Sequence, residues 1–163
     1  MNGHKGCFLE QKEGSIPSAS QGSDDIADIL NECKVIAVVG LSPKPERDSN
    51  RVAAYLISKG YDVVPVNPGQ KEILGRKCYK SLSDIPFKVD MANLFINTSR
   101  VPPVVDEAIE KAAKVIWMQL GIAHEQSAQK AGARGIRVVM NRCIMAEHRY
   151  LYDRIQSPQA LKA

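Results

Sequence analysis

Val35-Ile36-Ala37-Val38-Val39 is an unbroken apolar run that stops at Gly40. A strand built from it has no polar side, so both of its faces must be covered. A parallel sheet sandwiched between helices meets that demand. The rest of the chain fits the same reading. The spacing predicts a helix from about Asn50 to Lys59, with Val52, Tyr55 and Leu56 on one face and Gly60 as its stop. Tyr61 to Val66 reads as the second strand, closed by Asn67-Pro68-Gly69, and Met91 to Ile96 as a third.

Between them Gln70 to Pro86 is less regular, with room for a short strand near Cys78. Pro102 and Pro103 mark a helix start, and Val105, Ala108, Ile109 and Ala112 its buried face. Val115 to Met118 follows as a strand, Ala123 to Arg134 as a helix and Ile136 to Met140 as the last strand. Ahead of all these, Ser23 is expected to cap a short helix whose apolar stripe is Ile26, Ile29, Leu30 and Cys33. Strands alternating with helices of about ten residues imply right-handed crossovers. The fold class is therefore α/β: a Rossmann-like, doubly wound, mostly parallel sheet in a single domain. The expected division is a disordered N-terminal tail over 1–22, the domain over 23–152 and a C-terminal tail over 153–163.

Composition removes several function classes. A net charge of +4, without a dense Lys/Arg block or aromatics interleaved with basic residues, argues against nucleic-acid binding. Cys7, Cys33, Cys78 and Cys143 form no C-x-x-C pair, so the thiols are expected to be reduced and the compartment cytoplasmic. The polar first 21 residues do not read as a secretory signal, and no membrane span is expected. Cys143 with Glu147 and His148 supplies too few ligands for a metal, and this stretch reads as a structural segment packing the last strand. His124 reads as a solvated helix-start histidine, and no Ser-His-Asp order or H-E-x-x-H is visible.

In open α/β sheets ligands bind beyond the carboxyl ends of the strands. Four turns lie there: Gly40-Leu41-Ser42-Pro43, Asn67-Pro68, Thr98-Ser99-Arg100 and Gln119-Leu120-Gly121. The first lacks G-x-G-x-x-G but combines a glycine at the strand end with Lys44, Arg47 and Arg51, and Ser49 is expected to cap the next helix, whose amides favour phosphate. Asn67 stands where dinucleotide enzymes of this fold carry an acid for a free ribose hydroxyl. Its neutrality suits a phosphorylated adenosine, with Arg76 and Lys77 a short loop away.

These blocks resemble the small stand-alone CoA-binding domain proteins, which are similar to the CoA-binding domain of the succinate–CoA ligase α-subunit. The resemblance runs from about Asp25 to His148, through Val38 to Ser49, Gly60 to Pro68, Ile73 to Tyr79, Trp117-Met118-Gln119 and Asn141 to His148. It implies that Gly40, Ser42, Pro43 and Lys44 line the nucleotide and diphosphate, that Asn67 and Pro68 meet the adenosine half, and that Thr98 lies near the pantetheine exit. Leu41, Arg47, Ser49, Asn50, Val66 and Gln119 complete the expected coenzyme A site. The half of such a ligase that carries its phosphorylated histidine has no counterpart in these residues, so the resemblance implies binding rather than ligase chemistry. The expected function is non-catalytic binding of coenzyme A or an acyl-CoA, as a carrier, sensor or regulatory module. The alternative is an NAD(P)- or acyl-CoA-dependent enzyme using the same pocket. The expected partner is the nucleotide ligand, with a homodimer or a partner protein left open. Cys143 is the thiol to watch, because it follows a strand that ends at the ligand edge.

Overall fold

The computed structural model describes residues 22–155. The expected N-terminal tail, apart from Gly22, and positions 156–163 of the expected C-terminal tail lie outside the described residues. In chain order the elements are α1 (Ser23–Glu32), β1 (Val35–Val39), α2 (Asp48–Ser58), β2 (Asp62–Val66), β3 (Glu72–Ile73), β4 (Arg76–Lys77), β5 (Met91–Leu94), α3 (Val101–Glu110), β6 (Val115–Met118), α4 (Glu125–Gly132), β7 (Arg137–Val139) and α5 (Ile144–Tyr150). Short 3-10 turns occupy Leu82–Asp84 and Thr98–Arg100.

The apolar run lies where its composition demands. β1 is flanked by β2 and β5 in a five-stranded sheet of order β2-β1-β5-β6-β7, every pairing parallel. Its residues alternate between two cores. Ile36 and Val38 pack with α1, α2 and α5, whereas Ala37 and Val39 pack with α3 and α4. The protein is thus an α/β, Rossmann-like domain with helices on both faces. The chain runs from β1 outward to β2, then returns past β1 to β5, so the order reverses between β1 and β5 and a crevice opens above their carboxyl ends.

One sheet edge is accompanied by other strands and the other is short. β2 is accompanied by the antiparallel hairpin β3–β4 and by a bridge from Val66 to Tyr79. At the other edge β7 begins at Arg137, whose guanidinium is ion-paired with Glu32 and, at 3.5 Å, with Asp25. At the amino ends of the strands the Asp90 carboxylate accepts from the backbone N–H of Lys34 and Val35 at 2.8 and 2.9 Å.

Three local expectations change. Gly22, not Ser23, stands at the cap of α1; its carbonyl accepts from Ile26 N–H, which leaves Ser23 inside the first turn. α2 starts two residues before Asn50, because Arg47 is still extended and Asp48 already helical. The segment read only as packing the last strand contains a helix, α5, which lies against α1 and α2 with Ile144 and His148 buried. Residues 152–155 add a further helical turn, with Ile155 against the core and Arg154 paired to Asp24.

Candidate functional site

Gly40 fixes the geometry at the reversal point. It follows β1 with φ +86°, and a Cβ there would lie 2.3 Å from the carbonyl oxygen of Phe95, which follows β5. Only glycine permits this approach of the two strand ends. The Gly40 N–H donates to Val66 and the Phe95 N–H to Val39, so the ends of β1, β2 and β5 are bound together.

The loop after Gly40 is held by its own polar groups. Ser49 makes no cap contact; its Oγ accepts from Ser42 N–H at 2.9 Å. Asn50 Nδ2 donates to the Ser42 carbonyl at 2.9 Å, and Lys44 N–H donates to Ser42 Oγ at 3.1 Å. Ser49 and Asn50 are buried and so work as staples for the loop, whereas Pro43, Lys44 and Arg47 are exposed. Arg51 is tied to Asp48 and to the Glu46 carbonyl. Lys44 and Arg47 have no ion pair among the described residues, which leaves their charge available beside the start of α2. Ser42, Arg47 and Ser49 line a hollow of about 340 Å³ here with Gly40 and Phe95, and so do the carboxylates Glu46 and Asp48, the latter paired with Arg51. Leu41 is wholly buried; its side chain belongs to the core and its carbonyl faces Asn67.

Asn67 bridges two turns: Nδ2 donates to the Leu41 carbonyl at 2.9 Å, and Oδ1 accepts from Gly69 N–H at 2.8 Å. Val66, Asn67 and Pro68 share a cleft of about 290 Å³ with Gly40, Lys80 and Arg100. The basic residues expected there were Arg76 and Lys77, and the structure places them elsewhere. The hairpin carries Arg76 back to Asp62 at the start of β2, 3.0 Å away, while the Lys77 ammonium lies over the Tyr79 ring. Lys80 takes their place because the Tyr79 bridge brings the following residues beside the end of β2. Arg100 was legible only as part of a turn after β5. Thr98, half-buried in the 3-10 turn, lines none of the three recesses.

On the other face of the sheet, Gln119 lies 3% exposed at the end of β6 and lines a cavity of about 440 Å³ with Phe95, Ile96, Cys143 and Met145. The three recesses share rim residues. Gly40 joins the Asn67 cleft to the loop hollow, and Phe95 and Asp48 join the hollow to the cavity.

Among the described residues the histidines are His124 and His148, and both are already engaged. His124 is the N-cap of α4, its Nδ1 accepting from Ser127 N–H at 3.2 Å, rather than merely solvated. His148 is buried against α2, 2.8 Å from the Tyr55 hydroxyl. Burial, then the Lys59 ammonium, hold its imidazole below the usual histidine range. The buried thiol of Cys33 is pushed up to about 12, chiefly by desolvation and secondly by Asp90, so it stays protonated. No helix among the described residues is long and apolar enough to cross a membrane.

Known proteins share this architecture. A family model described as the CoA binding domain matches residues 34–149. The uncharacterized protein YneT of Bacillus subtilis is 39% identical over 124 residues, which are 76% of this chain and 92% of that protein. A solved hypothetical protein from Pyrococcus horikoshii superposes with a TM-score of 0.78 at 47% identity, over 80% of this chain and 92% of its own. The α subunit of an ADP-forming acetate–CoA ligase from Pyrococcus furiosus is 40% identical over 89 residues; these are 51% of this chain but only 19% of the subunit.

Proposed function

The chain belongs to the family of CoA binding domains, and from that premise we propose that it binds coenzyme A, free or acylated, across the crevice at the carboxyl edge of its sheet. The carrying observation is the row of three recesses that meet at Gly40 and Phe95. Their sequence matches the parts of the ligand. The Asn67–Pro68 cleft, with Lys80 and Arg100, suits an adenosine bearing a ribose phosphate. The loop hollow, with Arg47 in its lining at the start of α2 and Lys44 in the exposed loop before it, suits the diphosphate. The remaining cavity is left for the sulfur end of the pantetheine arm and the group that sulfur carries. Asn67 brings no carboxylate to the ribose, which favours coenzyme A over NAD.

The role we assign is non-catalytic: a cytoplasmic carrier, sensor or regulatory module. The groups assigned to the ligand grip and orient it; of the carboxylates in the linings, Asp48 is paired with Arg51 and Glu107 accepts from Ser83 N–H, and His124 is engaged as a helix cap.

Calorimetry tests the reading. Coenzyme A is expected to bind and to raise the melting temperature more than NAD does at equal concentration. Replacing both Lys44 and Arg47 with Ala should weaken coenzyme A at least tenfold, since charge-assisted bonds to phosphate are lost from a partly screened loop. Dephospho-CoA should lose as much, because the pair is assigned to the diphosphate. Unchanged affinity in the double variant removes this loop from the site, and stronger stabilisation by NAD overturns the ligand.

A further inference from the structure

The cavity between the strand ends and the α2/α5 layer has a mostly carbon wall, built by Val52, Phe95, Ile96, Ile122 and Met145. Its polar members are the paired Asp48 and Arg51, the thiol of Cys143 and, enclosed by the fold, Gln119. The Oε1 atom accepts from the backbone N–H of Ile144 at 3.1 Å, which fixes the amide plane against the start of α5. Its Nε2 donates to no group among the described residues. With 97% of the residue enclosed and the residue lining the cavity, those N–H bonds are aimed at whatever fills it. One layer below on the same face, Asn93 stands in register with Trp117, fully buried, with both amide atoms unpartnered. Unused amide capacity thus gathers at one recess, enclosed in Asn93 and open to the cavity in Gln119.

We propose that this cavity is an acyl chamber: it takes the short, uncharged acyl group of an acyl-CoA, and Nε2 of Gln119 donates a hydrogen bond to the thioester carbonyl. A thioester offers one carbonyl acceptor at the head of a hydrocarbon chain, and the chamber offers the Gln119 amide donor beside a wall of Val52, Phe95, Ile96, Ile122 and Met145. An acyl group ending in a carboxylate is disfavoured, because Arg51 at the rim is already engaged by Asp48 and the Glu46 carbonyl. This inference rests on coenzyme A binding at the same crevice, and it makes the acyl-CoA rather than the free thiol the preferred ligand.

The test is calorimetry of the full chain with coenzyme A, butyryl-CoA, succinyl-CoA and S-butyl-CoA, a thioether of equal chain length without the carbonyl. Butyryl-CoA is expected to bind at least tenfold tighter than coenzyme A, with S-butyl-CoA between them and succinyl-CoA no tighter than coenzyme A. Gln119→Glu keeps the oxygen that Ile144 needs and removes the donor, so the preference for butyryl-CoA over S-butyl-CoA should vanish. Equal binding of butyryl-CoA and coenzyme A by the wild-type chain overturns the acyl chamber and leaves coenzyme A binding standing. Equal binding of butyryl-CoA and S-butyl-CoA overturns the carbonyl contact without needing any variant. Binding of none of the four overturns both readings.

Discussion

Gly40 carries more of the architecture than any other single residue. Its positive φ is open to glycine at little cost, and the Phe95 carbonyl occupies the place a Cβ would take. Gly40→Ala combines backbone strain with a backbone clash, so a loss of about 2 kcal/mol or more is expected from urea denaturation. Coenzyme A binding should fall further than stability, because Phe95 borders two of the recesses and is the residue displaced. A variant as stable as the wild type would mean that the strand ends tolerate separation. The sequence marked Gly40 plainly, as the stop of an apolar run. It did not mark Ser49 and Asn50 as staples, because their partners lie across a seven- or eight-residue loop and capping is the commoner use of a serine there.

Among the elements, the strands of the five-stranded sheet were the most legible, since their residues are mostly buried and the apolar runs stand out; Val115–Met118 was located to the residue. Helix α5 was hidden. Its buried positions, Ile144 and His148, repeat at helical spacing with Leu151 just past its end, but include a histidine, which disguises the stripe. That histidine makes the helix sensitive to acid. His148 is ringed by Tyr55, Tyr61 and Tyr152, with Lys59 nearby and Arg149 over the Tyr55 ring. In the unfolded chain its imidazole titrates near 6.5, whereas the fold holds it lower. The unfolded state therefore takes up a proton that the folded state refuses. Stability is unaffected by this group above about pH 6.5 and declines as the pH falls below it, until the depressed folded value is passed. The urea midpoint should thus be lower at pH 5.0 than at pH 7.5, and His148→Gln should remove most of that difference. An equal pH dependence in the variant would trace the effect to other groups.

For the whole molecule, the crevice and the opposite end of the sheet should respond differently to ligand. Hydrogen exchange with coenzyme A present is expected to slow at 40–49, 67–68, 95–100 and 119–122, and to stay unchanged around Lys34 and Asp90 at the amino ends of the strands. Uniform slowing would indicate global stabilisation without a located site. The location of the crevice was readable in outline, because strands alternating with helices place ligands at their carboxyl ends. The exchange of Arg76 and Lys77 for Lys80 and Arg100 was not, because a two-stranded hairpin redirects the chain without an apolar pattern to announce it. The margins of the sheet carry a consequence of their own. One outer strand is shadowed by a hairpin and a bridge, and the other is three residues long and opens with an arginine tethered to two acids. Neither border offers a long, bare row of amides and carbonyls, so fibril-like growth by strand addition is guarded against at both ends. Association of two copies is accordingly expected through helices or loops rather than strand edges.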